Sequence, residues 1–405
     1  MKKSETEVME TQINRCYEML PKYLYRNYVP FDIEGTVDEE PIPFEQAFDR
    51  EWSSFKEGET WGENWHSGWF RLRAQVPESW TGQEVVAKLN FGGEALIVSD
   101  QGEPIQGLTG GSAFLEPFVR DRYRLFASCE GGEKVELLVE AAANEMFGIG
   151  APGNGDPVPM PMESKPTIGQ LKCIRLCTFD EEMYQLWLDM TVLVKLMQDL
   201  PERDPWRAKL RRRLHEAANA FRHDVYNAAE VREIIRPLLD VRTSGAQLST
   251  RAVGHAHIDT GWLWPMRETI RKCARTFSTQ LKLMEKYPDY VFGASQAQHY
   301  AFTKEHYPEL YQRIKQAVEN GRWEVQGAMW VEADNNVPSG ESLVRQVLYG
   351  KRFFRQEFGV DVKNLWLPDV FGYSAALPQI LRKAGVETFV TQKNSWRQIN
   401  KFPHH

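Results

Sequence analysis

Residues 251–265 read Arg-Ala-Val-Gly-His-Ala-His-Ile-Asp-Thr-Gly-Trp-Leu-Trp-Pro. The run 251–255 is predicted to be a strand entering a polar cluster, and 268–286 a helix. A strand, a polar cluster and a helix make one βα unit. The chain after it repeats the unit. Strands are expected at 291–296, 323–331, 365–367 and 387–391. Helices are expected at 309–320 (closed by Gly321), from the Ser339 cap to 358, and near 375–384. Repeated βα units imply a parallel sheet covered by helices. In such sheets the site lies at the carboxyl ends of the strands.

Upstream the pattern differs. Residues 181–241 read as helical, with Leu186, Met190, Leu193 and Met197 as one apolar stripe. The basic stretch 209–213 is taken as a solvated helix face, and 242–246 as a linker. Residues 30–178 show short alternating runs at 69–76, 85–91, 95–98 and 134–139, separated by Gly-Gly pairs. Many short strands with Gly and Pro punctuation indicate a β-sandwich. The stretch 148–166, rich in Gly and Pro, reads as a loop, and 172–179 as a last strand with Cys173 and Cys177 buried on one face. Residues 4–23 form an opening helix through Met9, Ile13, Cys16 and Leu20. The fold expected is multidomain: an N-terminal helix (1–29), a β-sandwich (30–178), a helical linker (179–248) and an α/β parallel-sheet catalytic domain (249–405) that stops after its fifth strand, incomplete at the C-terminus.

Composition narrows the function. The 405 residues carry 49 Lys and Arg against 56 Asp and Glu, net −7. That balance argues against nucleic-acid binding, which wants a basic surface. No stretch approaches the ~20 apolar residues of a membrane helix, and the start has no apolar signal core. Five scattered cysteines without a CxxC argue against a disulfide scaffold or a cysteine zinc site; a cytoplasmic protein is expected. The 13 Trp suit sugar-stacking faces, although ordinary packing is the plainer explanation.

Polar groups crowd every strand end. In extended backbone alternate side chains share a side, which groups His255, His257 and Asp259. Two imidazoles and a carboxylate suit a divalent metal such as zinc; a hydrogen-bonded His–Asp pair in a core is the competing explanation. Asp369 follows an apolar strand and precedes a Gly turn, so it is expected in the cleft; Ser374 is the better helix cap. Glu332 and Asp334 alternate onto one face beside Trp330. Ser295, Gln296, Gln298 and His299 end another strand.

Taken together, HAHIDTGWLWP (255–265), ASQAQHYAF (294–302), MWVEAD (329–334), LWLPDVFGYSAALPQIL (365–381) and TQKNSW (391–396) resemble the class II α-mannosidases, glycoside hydrolase family 38, and most nearly its cytosolic and bacterial branch. The resemblance implies a zinc-dependent retaining exo-α-mannosidase that removes terminal α-linked mannose through a covalent glycosyl-aspartate. It implies metal ligands at His257, Asp259 and Asp369, with Asp369 also the nucleophile. Trp262 and Phe371 would line the sugar pocket. Lys393 stands where some relatives have Arg, and Glu332 and Asp334 are substrate contacts to consider, neither assigned as the acid. The family's fourth metal ligand and acid/base carboxyl match nothing in 1–405, so the sequence is read as the N-terminal part of a longer enzyme. The implied partner is a mannose-containing oligosaccharide, with no nucleic acid and no membrane; a homo-oligomer is left open.

Two other functions compete. H-x-H at a strand end also opens metal-dependent amidohydrolase or deacetylase sites, which activate a metal-bound water rather than a carboxylate nucleophile. Alternatively the chain is an inactive fragment serving only as a sugar-binding module built on the sandwich. Against that, a sandwich that only docks onto the catalytic part is the simpler role.

Overall fold

A computed structural model of the chain describes residues 4–110, 119–144, 169–221, 224, 226–241 and 250–396. The expected loop at 148–166 and linker at 242–246 both lie outside these residues.

The sandwich consists of two antiparallel sheets. One has four strands in the order Tyr25–Pro30, Cys173–Phe179, Glu84–Asn90, Arg122–Phe126. The other has six, in the order Ser53–Phe55, Asp32–Asp38, Ser67–Gln75, Lys134–Ala142, Glu94–Val98, Pro104–Thr109. Alternation places Phe70, Leu72, Val139 and Ile97 inward, where they meet Val85, Leu89, Ile174 and Leu176 of the facing sheet. The strand expected at 172–179 pairs with both Tyr25–Pro30 and Glu84–Asn90. Cys177 is buried as expected, whereas Cys173 is half-buried.

The opening helix runs Glu5–Met19, with a capping box between Ser4 and Glu7. It packs with Glu181–Asp199, Pro205–Phe221 and Ala228–Leu239 around a core of Ile13, Leu186, Met190, Leu193, Met197, Leu210, Leu214 and Ile235. The basic stretch at 209–213 lies on the third of these helices; Arg211 pairs with both Glu10 and Glu202.

In the α/β region, Gly254–His255, Phe292–Ala294 and Trp323–Val325 form a parallel sheet. Asn364–Leu367 and Thr388–Thr391 form a second parallel pair. The helices are Met266–Lys286, Pro308–Glu319, Gly340–Phe358 and Leu377–Lys383. A further helix, Ala297–His306, has no counterpart among the expected elements. Its residues read as a polar strand end, and its apolar pattern is weak.

The strand expected at 323–331 stops at Val325. Gly327 and Ala328 have φ of 89° and 35°, values that cannot continue an extended run. Trp330, Glu332 and Asp334 are therefore reached through turns, and their expected alternation does not hold.

The outer face of the six-stranded sheet docks on the α/β region. Trp69, Leu96, Val98 and Leu138 join the core of Phe277, Phe292, Tyr300 and Trp323. At Gly107 the approach is backbone to backbone: a Cβ there would lie 2.5 Å from the Arg275 carbonyl oxygen. The Gly107 amide donates to Thr279 Oγ1 at 3.0 Å. Beside this contact lies a buried ion network. Arg271 meets Glu140 at 3.0 Å and Glu268 at 2.5 Å, Arg275 meets Glu94 and Glu268 at 3.2 Å, and Lys272 meets Glu94 at 2.5 Å.

Candidate active site

The first strand ends at His255, and its side chain turns to structural use. His255 Nδ1 lies 2.9 Å from the Gly293 carbonyl oxygen, and Nε2 accepts from Trp366 Nε1 at 3.0 Å. Both ring nitrogens are occupied, and burial lowers its pKa. His255 therefore stays neutral, with both ring nitrogens already used in holding strands together. The strand is too short to carry the expected alternation on to His257 and Asp259.

His257 is the meeting point. Its Nδ1 is 2.6 Å from Glu332 Oε2, while Nε2 faces Asp259 Oδ1 at 3.3 Å and Asp369 Oδ2 at 3.6 Å. Burial opposes charge on this ring, but the Asp259 and Glu332 carboxylates outweigh it and raise the pKa to about 10. Glu332 is 4% exposed and its other oxygen accepts from Ser295 Oγ at 2.5 Å. It sits behind the imidazole rather than on the open side. A carboxylate there fixes the tautomer and orients the ring.

Asp369 lies just past Asn364–Leu367, and Lys393 Nζ is 2.5 Å from its Oδ1. The same ammonium lies 5.1 Å from the Phe371 ring centroid. Phe371 is 69% and Trp262 47% exposed, so both offer ring faces at the rim. Asp334 Oδ1 accepts from the Asn336 and Val337 amides at 2.7 and 2.9 Å, closing a turn. That turn seats the Asn336 amide against Gly372, where a Cβ would displace it. Asp334 is not among the carboxylates that reach His257.

Residues with no assigned role hold the loop from beneath. Gln296 has φ 67°, an uncommon conformation for a non-glycine residue. Its Oε1 accepts from Thr260 Oγ1 at 2.7 Å and its Nε2 donates to the Ile258 carbonyl at 2.8 Å. Thr260 also meets His299 Nε2 at 3.0 Å. Since Thr260 has spent its one proton on Gln296, His299 must be the donor. Burial drives the His299 pKa down to about 3, so it acts neutral. The polar crowding of 295–299 was legible as a strand-end cluster but not as support for this loop, and Thr269 gave no signal.

The arrangement has the chemistry of a metal site. Among the described residues no group of three or more His, Cys, Asp or Glu side chains is drawn tightly enough to hold a metal as it stands. Yet both His257 ring nitrogens, Nε2 among them, are buried without a hydrogen-bond partner, as is Glu332 Oε2. Nε2 is 3.3 and 3.6 Å from two carboxylate oxygens. The edge of a tetrahedron with zinc–ligand bonds near 2.0–2.1 Å is about 3.3 Å. One imidazole and two carboxylates are ligand types that zinc takes, and the two distances from Nε2 are near that edge; the proton on Nε2 would yield to the ion.

Residues 247–405 match the glycosyl hydrolases family 38 N-terminal domain, and residues 29–184 the alpha-mannosidase jelly roll domain. The chain is 38% identical over 375 residues to Alpha-mannosidase G of Dictyostelium discoideum, covering 90% of this chain and 33% of that protein. It is 38% identical over 372 residues to Alpha-mannosidase 2C1 of Mus musculus, covering 90% and 34%. With Alpha-mannosidase of Saccharomyces cerevisiae the identity is 32% over 360 residues, covering 85% and 32%. The chain spans about a third of the length of the curated relatives it matches.

Proposed function

We propose that this chain, whose residues 247–405 match the glycosyl hydrolases family 38 N-terminal domain, carries the nucleophile and three metal ligands of a zinc-dependent retaining exo-α-mannosidase. The observation that carries this reading is His257 Nε2, orphaned between Asp259 and Asp369. His257, Asp259 and Asp369 would hold the ion, which supplies Lewis-acid polarisation and an anchor for the sugar's hydroxyls. The substrate is a mannose-containing oligosaccharide.

Asp369 has the position a nucleophile needs. Its carboxylate stands just past the end of the strand Asn364–Leu367, with Lys393 Nζ 2.5 Å from one oxygen. A carboxylate oxygen attacks the anomeric carbon, forming a glycosyl ester as the glycosidic C–O bond breaks. The leaving oxygen takes a proton from a second carboxyl, and water then hydrolyses the ester. That acid/base carboxyl is not assigned to any residue described here. Trp262 and Phe371 present apolar ring faces to the sugar's C–H side. Buried thiols at Cys16, Cys129, Cys177 and Cys273 suit a reducing compartment, which supports a cytoplasmic location.

A slow fluoroglycoside of mannose tests the reading in the full-length protein. Stoichiometric labelling of Asp369, found by peptide mapping, is expected. A metal-dependent amidohydrolase would leave Asp369 unlabelled, and that result would replace this reading.

A further inference from the structure

We propose that Thr269 is a positioning residue that pins the loop 259–264, and that the sandwich holds it in place; its consequence for the metal rests on the reading above. The Thr269 side chain is fully buried. Its hydroxyl donates to the Asp259 carbonyl at 3.2 Å and accepts from the Gly261 amide at 3.1 Å and from Trp264 Nε1 at 3.0 Å. A hydroxyl has one proton and two lone pairs, and here all three are used on one loop. The bonds locate the backbone of Asp259, whose carboxylate faces His257. They locate Gly261, whose φ of 82° only glycine adopts without strain. They also locate the Trp264 indole, against which Trp262 packs edge to face at 5.5 Å. One oxygen thus sets both a metal-facing carboxylate and a rim aromatic.

Thr269 lies in the first turn of Met266–Lys286, between residues locked to the sandwich. Glu268 pairs with Arg271, which reaches Glu140 of the sandwich, and Lys272 pairs with Glu94. Lys272 Nζ also lies 4.6 Å from the Trp264 ring centroid. Moving this turn would break buried ion pairs, so the sandwich fixes the hydroxyl that fixes the loop. The plainer role for Thr269 is to fill the helix entry. In that case its hydroxyl would matter to stability alone.

The test compares Thr269→Val with Thr269→Ser in the full-length protein. Zinc affinity is read by chelator competition on the metal-free protein, and loop order by hydrogen exchange at the Gly261 amide. Thr269→Val should weaken zinc binding roughly 10- to 100-fold and speed Gly261 exchange about tenfold or more, the equivalent of one lost hydrogen bond. Thr269→Ser should restore both. A Val variant that only melts earlier, with affinity and exchange unchanged, overturns the proposal. If Thr269→Val does not fold, Trp264→Phe removes one donor from the same hydroxyl; unchanged Gly261 exchange there overturns it as well. Wild-type protein that binds no zinc, yet loses Gly261 protection on Thr269→Val, would sink the metal reading and uphold the pin.

Discussion

At the scale of single residues, the site divides into groups that face the open side and groups that hold them. Asp369 belongs to the first. Asp369→Asn keeps the shape and removes the nucleophile, so turnover of an aryl α-mannoside by the full-length protein should fall by several orders of magnitude. Circular dichroism should be unchanged; more than a tenth of wild-type activity would refute the assignment. Glu332 belongs to the second group. Its contact with His257 Nδ1 at 2.6 Å orients the ring from behind, so Glu332→Gln should weaken zinc binding about 10- to 100-fold. Equilibrium dialysis against buffered zinc measures it, and an unchanged affinity would return Glu332 to the role of a substrate contact. The residues that face outward were legible in the sequence, because a metal and a nucleophile need particular residue types after a strand. The holding residues were only partly legible. Ser295, Gln296 and His299 stood out as a polar cluster. Thr269 is one of three threonines in an amphipathic helix, and its three bonds depend on how the loop 259–264 folds back.

At the scale of elements, the alternation of strand and helix after 249 was readable, since period-2 and period-3.6 patterns are strong there. The details failed where backbone conformation broke the pattern. The strand ends at Val325, and Ala328 at φ 35° keeps the backbone from resuming the extended run that the apolar composition of 323–331 suggests. Helix Ala297–His306 buries Tyr300 and His299 in a segment too polar to announce itself. Docking of the sandwich was foreseeable, but the close approach of strand Pro104–Thr109 to Met266–Lys286 was not, because it depends on the lack of a side chain at Gly107. Gly107→Ala should force the strand Pro104–Thr109 away from the helix: its Cβ would sit 2.5 Å from the Arg275 oxygen and 2.8 Å from Arg275 Cβ. Overpacking of this kind costs about 1–3 kcal/mol. Urea unfolding should show a loss in that range; a change under about 0.5 kcal/mol, typical of a surface substitution, would mean the two layers part easily.

At the scale of the whole molecule, the sandwich and the α/β region share buried charge as well as apolar core. Burial alone would raise the Glu268 pKa, but Arg271 and Arg275 reverse the effect and bring it from 4.5 to about 2. A carboxylate with a lowered folded pKa adds stability above its unfolded pKa and loses it as pH falls through the folded value. Between about pH 4.5 and 2 the chain should therefore lose ~3 kcal/mol from this group. Glu268→Gln should flatten that part of the stability curve and lower stability at pH 7 by about 3–5 kcal/mol; an unaltered acid limb in denaturant titrations would contradict it. A second joint lies inside the α/β region. Among the described residues no backbone ladder links Trp323–Val325 to Asn364–Leu367. Side chains bridge the gap instead: Asn364 Oδ1 accepts from the Gly327 amide at 3.1 Å, and Trp366 Nε1 donates to His255 at 3.0 Å. His257 and Asp259 follow the first strand on one bank of this seam, and Asp369 follows a strand on the other. An ion gripped by all three would act as a clasp across the weakest line in the sheet, so loading it should slow the breathing of the two banks as much as it prepares the chemistry.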